Sequence, residues 1–210
     1  MLANVRVFWR EFRDQYHTTG AVLPSGPALA RSLARYLTPQ GPPRRVLEVG
    51  PGTGAVTASI VRRIRPGDSL DLVELNERFV SHLQARLASD PAFVRVAGQT
   101  RLWHRSVQDV AGEAEYDVIV SGLPLNNFAV DDVEQILGVF RRLGRPGGTL
   151  SFFEYIAVRQ AKAILSGRAG RARLRGISRA LKSLLAPHEV RRDWVWLNVP
   201  PAWVHHVRWP

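Results

Sequence analysis

Hydrophobic and polar positions follow two patterns along this chain, and together these patterns predict an α/β protein. Short apolar runs recur at 45–49, 69–74 and 117–121, and between them lie segments whose apolar residues are three and four positions apart. The short apolar runs are typical of buried strands, and the spacing of three and four is typical of helices that cover a sheet. Strands that alternate with helices favour a mostly parallel sheet with helices on both faces, as in a Rossmann-like fold.

The same pattern predicts an antiparallel hairpin near the carboxyl end of the chain. Two strand-like runs, 190–198 and 203–209, are joined through Pro200-Pro201, and so tight a connection favours pairing at a sheet edge. Trp194 and Trp196 share one face of the first run, so we expect both to pack in the core. Further strands are predicted near 101–105 and 149–154, with a turn at 146–148, and helices over 4–16, 27–37, 55–65, 76–88, 131–143, 157–165 and 171–186.

Composition narrows the classes of protein and predicts one domain over residues 1–210. With 45% hydrophobic residues the chain can bury a substantial core, but it lacks the run of roughly 20 apolar residues that crosses a bilayer. The amino-terminal segment MLANVRVFWREF is too charged for a signal peptide. Cysteine is absent, which fits the cytoplasm and excludes disulfides, thiolate metal sites and cysteine nucleophiles. No metal site is expected, because histidines 104, 205 and 206 lack a further ligand at a sensible spacing.

Charge is distributed unevenly along the chain. The formal net charge is +11, and 27 of the 29 basic residues are arginine. Residues 1–154 carry a net +2, whereas residues 155–210 carry +9. Such an excess points to an anionic partner, either nucleic acid, an anionic lipid surface or a phosphorylated substrate.

The sharpest local motif is a glycine-rich loop with a distant acidic partner. Glu48 is followed by Gly50, Gly52 and Gly54, between a predicted strand and a helix, and Glu74 ends the next strand. Glycines let the backbone turn tightly and approach a ligand closely. An acid at the end of the second strand can accept hydrogen bonds from both hydroxyls of a ribose.

The residues around the loop narrow the kind of nucleotide. Ala55-Val56 stand where a P-loop requires Lys-Ser/Thr, and Glu48 places a negative charge where a pyrophosphate would lie. A carboxylate there suits a cationic ligand. The combined pattern resembles the S-adenosylmethionine loop of class I methyltransferases, which release S-adenosylhomocysteine. On this resemblance Glu48 serves the methionine ammonium group, the loop passes under the methionine and ribose, and Glu74 holds the ribose. Neighbouring contacts are expected from Thr53, Leu75, Ser106, Val107, Ser121, Thr19 and Gly20.

Two further segments of the predicted site depart from the superfamily pattern. Ser106 stands where an acid often binds the adenine amino group, and Asp109 either takes over that contact or caps the next turn. Ser121-Gly122-Leu123-Pro124 follows the fourth strand, where enzymes that methylate amino groups often have Asn-Leu-Pro-Tyr or a similar sequence. A planar base would lose its stacking partner at Leu125 unless Phe128 replaced it, whereas an aliphatic amine needs none.

Several segments together resemble the bacterial phospholipid N-methyltransferases. The resemblance rests on residues 8–12, 19–25, 28–30, 47–57, 121–125 and 198–202. It implies a class I methyltransferase, cytoplasmic and peripheral on the inner face of the membrane, that converts phosphatidylethanolamine through its mono- and dimethyl forms to phosphatidylcholine. It further implies an amino-terminal cap over 1–37, a cofactor-binding core over 44–155, and a basic helical segment with the hairpin over 156–210. No stable protein partner is implied.

Two stretches are candidates for lipid contact. Segment 4–16 is basic, aromatic and amphipathic, so its apolar face enters a membrane or packs on the chain's own core. The run 159–182 holds eight basic residues, no acid and an apolar stripe, and it is a second lipid contact or a solvated face. The predicted membrane-binding residues are Val5, Arg6, Phe8, Trp9, Arg10, Phe12 and Arg13.

Methyl transfer to an amine requires alignment and a neutral nitrogen rather than covalent help. We expect the carbonyls of Leu123 and Pro124 to orient the amine with a tyrosine hydroxyl, first Tyr155 and second Tyr16, while water takes the proton. The alternative function is an RNA adenine-N6 methyltransferase, which suits the charge but lacks its Asn-Leu-Pro-Tyr signature. A non-catalytic lipid-binding protein is disfavoured by the intact loop and Glu74.

Overall fold

The computed structural model describes residues 25–156 and 168–210. Within these ranges a seven-stranded sheet has the order β3-β2-β1-β4-β5-β7-β6. Strands β1 to β5 run parallel, and β7 pairs antiparallel with both β5 and β6. The strands are β1 Arg45–Val49, β2 Ser69–Glu74, β3 Thr100–His104, β4 Tyr116–Ser121, β5 Gly144–Tyr155, β6 Glu189–Val195 and β7 Ala202–Arg208. The predicted fold class and the edge hairpin are therefore confirmed.

Helices cover both faces of this sheet. They are α1 Pro27–Leu33, α2 Thr57–Val61, α3 Glu77–Ser89, α4 Pro91–Val94, α5 Val130–Leu143 and α6 Arg168–His188, with 3₁₀ turns at Ala97–Gln99, Val107–Asp109 and Leu125–Asn127. Apolar side chains of α1 to α4 form one core with the sheet, and those of α5 and α6 form a second core on the opposite face. No helix of the described ranges is long and apolar enough to span a membrane.

Sequence and structure differ at the start of β5. Residues 146–148 were expected to form a turn before the strand, but β5 already begins at Gly144 and contains them. The pairing of β4 with β5 shifts register between Tyr116 and Val118, and Gly147 has a φ of +74°. The Pro-Gly-Gly sequence therefore makes an irregularity inside the strand. Trp209, the residue after β7, continues the pairing beside it, since its backbone N–H donates to the Gly148 carbonyl at 3.0 Å.

Two expectations about apolar side chains were wrong. Trp194 and Trp196 are 56% and 64% exposed rather than buried, because β6 is the edge strand and their face of it is left uncovered. The apolar stripe of the 159–182 run does not form a lipid contact in its described part. Ile177 and Leu181 are buried in the second core, together with Leu184 just beyond the run, and Leu174 is buried as well. Only the basic side of α6 remains available to a partner.

Some predictions lie outside the described residues. These are the amphipathic helix at 4–16 with its seven membrane-binding residues, the candidate residues Tyr16, Thr19 and Gly20, and the helix at 157–165. The division of the chain into cap, core and basic segment stays a prediction.

Candidate functional site

The site forms where the carboxyl ends of β1, β2 and β4 meet. Gly50 N–H donates to the Val73 carbonyl at 2.9 Å, and Gly122 N–H donates to the Val49 carbonyl at 2.8 Å. A Cβ on Gly122 would lie 2.5 Å from the Gly50 oxygen, and one on Gly50 would lie 2.6 Å from Leu123 Cδ2. The loops after β1 and β4 therefore touch through glycine, at the edge where open α/β sheets bind ligands.

The glycine loop is held open towards solvent and fixed from behind. Gly50, Gly52 and Gly54 have φ values of +68°, +56° and +80°, which favour glycine at all three positions. A Cβ on Gly52 would meet nothing within 4 Å. Behind the loop, Arg86 donates from Nη1 to the carbonyls of Thr53 at 3.2 Å and Gly54 at 3.0 Å. Arg86 was missed from the sequence, because its contact with the loop spans more than 30 residues.

Glu74 has a second role besides the one predicted from the sequence. Its Oε2 accepts a hydrogen bond from Gly52 N–H at 3.0 Å and its Oε1 accepts one from Asn76 N–H at 2.8 Å. Burial raises the pKa of Glu74, and these N–H groups counter the rise. Each carboxylate oxygen can accept another hydrogen bond, so the side chain can position the loop and still bind ribose hydroxyls.

Glu48 is a fully buried carboxylate. Neither of its oxygens has a hydrogen-bond partner in the described part of the chain. Burial raises the pKa of Glu48 to about 8, and the charge of Glu74 adds to this rise. The nearby Thr57 hydroxyl opposes the rise, although it does not meet hydrogen-bond geometry with either oxygen of Glu48. An unpartnered buried carboxylate is costly unless a cation compensates it. The buried Glu48 carboxylate therefore fits a cationic ligand such as S-adenosylmethionine.

The residues predicted to contact the adenine lie at the ends of β2 and β3. His104 Nε2 lies 3.0 Å from the Leu75 carbonyl, and Arg105 N–H donates to the Glu74 carbonyl at 3.1 Å. Ser106 is buried and caps the following 3₁₀ turn, its Oγ accepting from Gln108 N–H at 3.3 Å. Ser106, not Asp109, is the residue that caps this 3₁₀ turn. Asp109 lies within the turn, and its side chain is exposed.

Val107 is the predicted cofactor contact beside this serine. Its side chain is buried in the second core. Only the backbone of Val107 is therefore well placed to face a ligand.

The segment after β4 is anchored by hydrogen bonds to its own strand end and to α6. The Ser121 hydroxyl accepts from Leu123 N–H at 3.3 Å, and Arg173 of α6 donates to the carbonyls of Asn126 at 3.2 Å and Phe128 at 2.8 Å. Phe128 is buried in the second core, so it does not replace the missing aromatic residue as a stacking partner. Pro124 keeps partial exposure beside the glycine loop.

Tyr155 lies at the carboxyl end of β5, on the same edge of the sheet. Its side chain is 9% exposed and makes an edge contact with Phe153, with ring centroids 4.9 Å apart. The structure therefore brings one of the two candidate tyrosines to the correct edge, largely packed in the first core.

Comparisons with known proteins agree with this geometry. A methyltransferase-domain family model matches residues 47–150. An ornithine lipid N-methyltransferase from Singulisphaera acidiphila is 30% identical over 145 residues, covering 69% of this chain and 74% of the relative. A ribosomal RNA small subunit methyltransferase A from Synechococcus is 36% identical over 105 residues, covering 50% and 35%.

A solved structure extends the likeness to nearly the whole chain. The 1,6-didemethyltoxoflavin-N1-methyltransferase of Burkholderia thailandensis, with S-adenosylhomocysteine bound, superposes with a TM-score of 0.63 at 20% identity, covering 98% of this chain and 89% of that one. With the 30% identical relative and the methyltransferase-domain match, this fold shows that the chain belongs to the class I S-adenosylmethionine-dependent methyltransferases. S-Adenosylmethionine is its cofactor.

Proposed function

We propose that this protein methylates the amine of phosphatidylethanolamine, and then its mono- and dimethyl forms, to give phosphatidylcholine at the inner face of the cell membrane. The observation that carries the proposal is the acceptor segment 121–128. It lies against the glycine loop, and both Leu125 and Phe128 are buried. A planar base would find no aromatic face from this segment, whereas a flexible aliphatic amine needs only hydrogen-bond acceptors and room.

The chain's own residues would align the amine. S-Adenosylmethionine supplies the methyl group when bound. In the first two methylations the carbonyls of Leu123 and Pro124 accept N–H hydrogen bonds from the amine and direct its nitrogen lone pair. These carbonyls already accept from Leu125 N–H at 3.0 Å and Asn127 N–H at 2.9 Å, and each keeps a second lone pair. The hydroxyl of Tyr155 assists from the end of β5. Water takes the proton that the ammonium group loses, because no side chain of the segment is a suitable base.

Charge supports a membrane-bound substrate. The carboxyl-terminal quarter carries a net +9, and Arg175, Arg179 and Lys182 are exposed on α6. Arginine-rich surfaces are attracted to the anionic lipids of the cytoplasmic leaflet. The predicted amphipathic segment at 4–16 would add an apolar anchor.

The test is to incubate the protein with labelled S-adenosylmethionine and one acceptor at a time. The acceptors are vesicles with phosphatidylethanolamine, vesicles with ornithine lipid, and ribosomal RNA. We expect label in phosphatidylethanolamine and its methylated products. Label in ornithine lipid alone would keep the reaction type and change the substrate. Label in RNA alone would overturn the proposal in favour of the adenine-N6 alternative.

A further inference from the structure

The tip of the edge hairpin carries an exposed apolar surface. Leu197 and Val199 are 87% and 70% exposed, and they continue the line of exposed side chains that begins at Trp194 and Trp196. We call residues 194–199 the hairpin tip. Large apolar side chains that are clustered and exposed usually mark a contact with another molecule or a membrane.

The tryptophans of the tip form a continuous aromatic surface. The ring centroids of Trp194 and Trp196 are 5.3 Å apart, and those of Trp194 and Trp203 are 5.4 Å apart. Trp194 and Trp203 face each other across the β6–β7 pair, so the rings lie on one face of the hairpin. Tryptophan combines a large apolar body with one polar N–H, which suits the boundary between headgroups and acyl chains.

An arginine-lined cleft lies beside the tip, between α1 and the edge strand β6. It has a volume of about 460 Å³, and its lining includes Arg31, Arg35, Arg63 and residues 193–197. We call it the arginine cleft. It combines three guanidinium groups with a single carboxylate, that of Asp193.

That carboxylate does not neutralise the arginine cleft. Asp193 already accepts from Arg35 Nε at 2.7 Å, from Arg191 Nε at 2.6 Å and from the Ser32 hydroxyl at 2.8 Å. The side chain of Arg31 is exposed and makes no ion pair or hydrogen bond with a described residue. The side chain of Arg63 donates to the Ser59 carbonyl at 2.7 Å. The cleft therefore keeps a positive charge, and planar guanidinium groups bind phosphate oxygens well.

The hairpin tip lies at the same edge of the sheet as the methyl-transfer site. Tyr155, at the end of β5, pairs with Ala202, the first residue of β7, so the tip extends beyond that edge. Gly26 N–H donates to Asn198 Oδ1 at 2.9 Å, which places the start of α1 against the tip. Arg31, in the last turn of α1, lines the arginine cleft together with Trp196 and Leu197 of the tip.

We propose that the hairpin tip and the arginine cleft together form a membrane-docking surface. Trp196, Leu197 and Val199 enter the headgroup–acyl boundary of an anionic bilayer, and the phosphate of an anionic phospholipid headgroup binds in the cleft. Docking through this surface turns the edge with the glycine loop and Tyr155 towards the lipid. The role of this surface in presenting lipid to the methyl-transfer site rests on the proposed function. Binding of the protein to vesicles is measured without any methyl acceptor.

Vesicle binding tests the surface directly. Sedimentation of the full chain is measured with phosphatidylcholine vesicles and with phosphatidylcholine–phosphatidylglycerol vesicles, neither of which contains a primary amine. The double variant Trp196→Ser/Leu197→Ser should weaken binding about tenfold or more, because two interfacial apolar side chains are lost. Arg31→Glu should weaken binding to the anionic vesicles about tenfold, and this loss should diminish at high salt.

Two matched control variants separate binding through this surface from nonspecific electrostatic and hydrophobic binding elsewhere on the protein. Val190→Ser removes an exposed apolar side chain from the opposite end of β6, and Arg141→Glu reverses an exposed charge in the last turn of α5. Both should bind like the wild type. Equal binding by the tip variant and its control would overturn the proposal. So would binding of the wild type to RNA but not to anionic vesicles.

Tryptophan fluorescence distinguishes the bilayer from other occupants of the tip. Iodide should quench Trp196 in solution, and brominated lipid should quench it once vesicles are added. The contribution of Trp196 is the difference in quenching between the wild type and Trp196→Phe/Leu197→Ser, because the exposed Trp194 is quenched in both proteins. If iodide fails to reach Trp196 in the free protein, another part of the chain or a second copy covers the tip, and the proposal is wrong. Failure to methylate phosphatidylethanolamine would leave these readouts unchanged, so the two proposals fail separately.

Discussion

Glu48 shows how one residue can favour function at the expense of stability. Its carboxylate is completely buried, and in the described structure it lacks a hydrogen-bond partner. An acid in this state destabilises the unliganded fold when ionised, yet it is ready to compensate a cationic ligand. The sequence motif identified this residue, but the motif could not show that the carboxylate is left unpaired, since that depends on every side chain packed around β1.

We expect Glu48→Gln to bind S-adenosylmethionine at least about tenfold more weakly while making the unliganded protein more stable at alkaline pH. The pKa of Glu48 is about 8 when folded, above its ordinary 4.5. Its contribution to stability is therefore full below pH 4.5 and is lost as the pH rises through 8. The advantage of the variant should grow over that interval, as measured by urea unfolding at pH 5 and 8.5. Cofactor affinity is measured by calorimetry.

Glu134→Gln, on the exposed side of α5, is the control for this experiment. It should change neither cofactor affinity nor the pH dependence of stability. A Glu48→Gln protein with wild-type affinity would remove Glu48 from the cofactor site.

The effect of pH on His206 is opposite to its effect on Glu48: we expect His206 to reduce the stability of the protein as the pH falls. Its Nδ1 lies 2.8 Å from Ser151 Oγ and its Nε2 lies 3.4 Å from Asp193, inside a buried network that reaches α1 through Ser32. Burial lowers the pKa of His206 to about 4. The folded protein thus stays unprotonated at His206 where the unfolded chain binds a proton. The contribution of His206 to stability is full above pH 6.5 and is lost as the pH falls towards 4.

The expected loss is on the order of 3 kcal/mol for a shift of this size. It is measured as the difference in unfolding free energy between the wild type and His206→Asn, followed from pH 7 to 4. That difference should shrink as the pH falls. A difference that stays constant would mean that His206 titrates normally in the folded protein.

At the scale of secondary-structure elements, the contact between the loops after β1 and β4 determines the geometry of the site. Gly122→Ala would place a methyl group 2.5 Å from the Gly50 carbonyl oxygen. Because both partners are backbone, the loops must separate. We expect weaker cofactor binding and a loss of stability of about 1–3 kcal/mol, the usual cost of overpacking.

Gly138→Ala is the matched control. Gly138 lies within α5, and a Cβ there would meet nothing within 4 Å. The substitution should stabilise the fold by about 0.5–1 kcal/mol and leave cofactor binding unchanged. Equal thermal shifts for the two variants would show that the loops do not touch as described.

The elements differ in how well local sequence predicts them. β1 and β2 were predicted with their observed bounds, because a buried parallel strand is a short apolar run between turn residues. The environment of Trp194 was mispredicted because alternation along β6 is identical whether or not a helix covers that face. The apolar stripe of α6 was ambiguous for the same reason: a helix shows an apolar face equally when it packs on its own sheet and when it lies on a membrane.

At the scale of the whole molecule, several features converge on one edge of the sheet. The glycine loop, the acceptor segment and Tyr155 lie there, and the hairpin tip extends beyond it. Net charge alone could not locate this edge, because the exposed arginines of α6 and those of the arginine cleft lie on opposite faces of the sheet. Only the topology, with β7 antiparallel to β5, brings the hairpin tip to the edge that carries the glycine loop.

This placement predicts that the tip acts on access to lipid rather than on chemistry. Trp196→Ser/Leu197→Ser should lose about tenfold or more in kcat/KM on phosphatidylethanolamine vesicles, because fewer molecules are docked. With a short-chain phosphatidylethanolamine dissolved below its micelle concentration, the same variant should match the wild type, since no docking is required.

Tyr155→Phe should behave in the opposite way and lose kcat on both substrates while binding vesicles normally. If the tip variant instead loses kcat on the dissolved lipid, the tip contributes to the catalytic site and the docking role is wrong. The ratio of the two activities therefore reports which edge residues present the lipid and which align its amine.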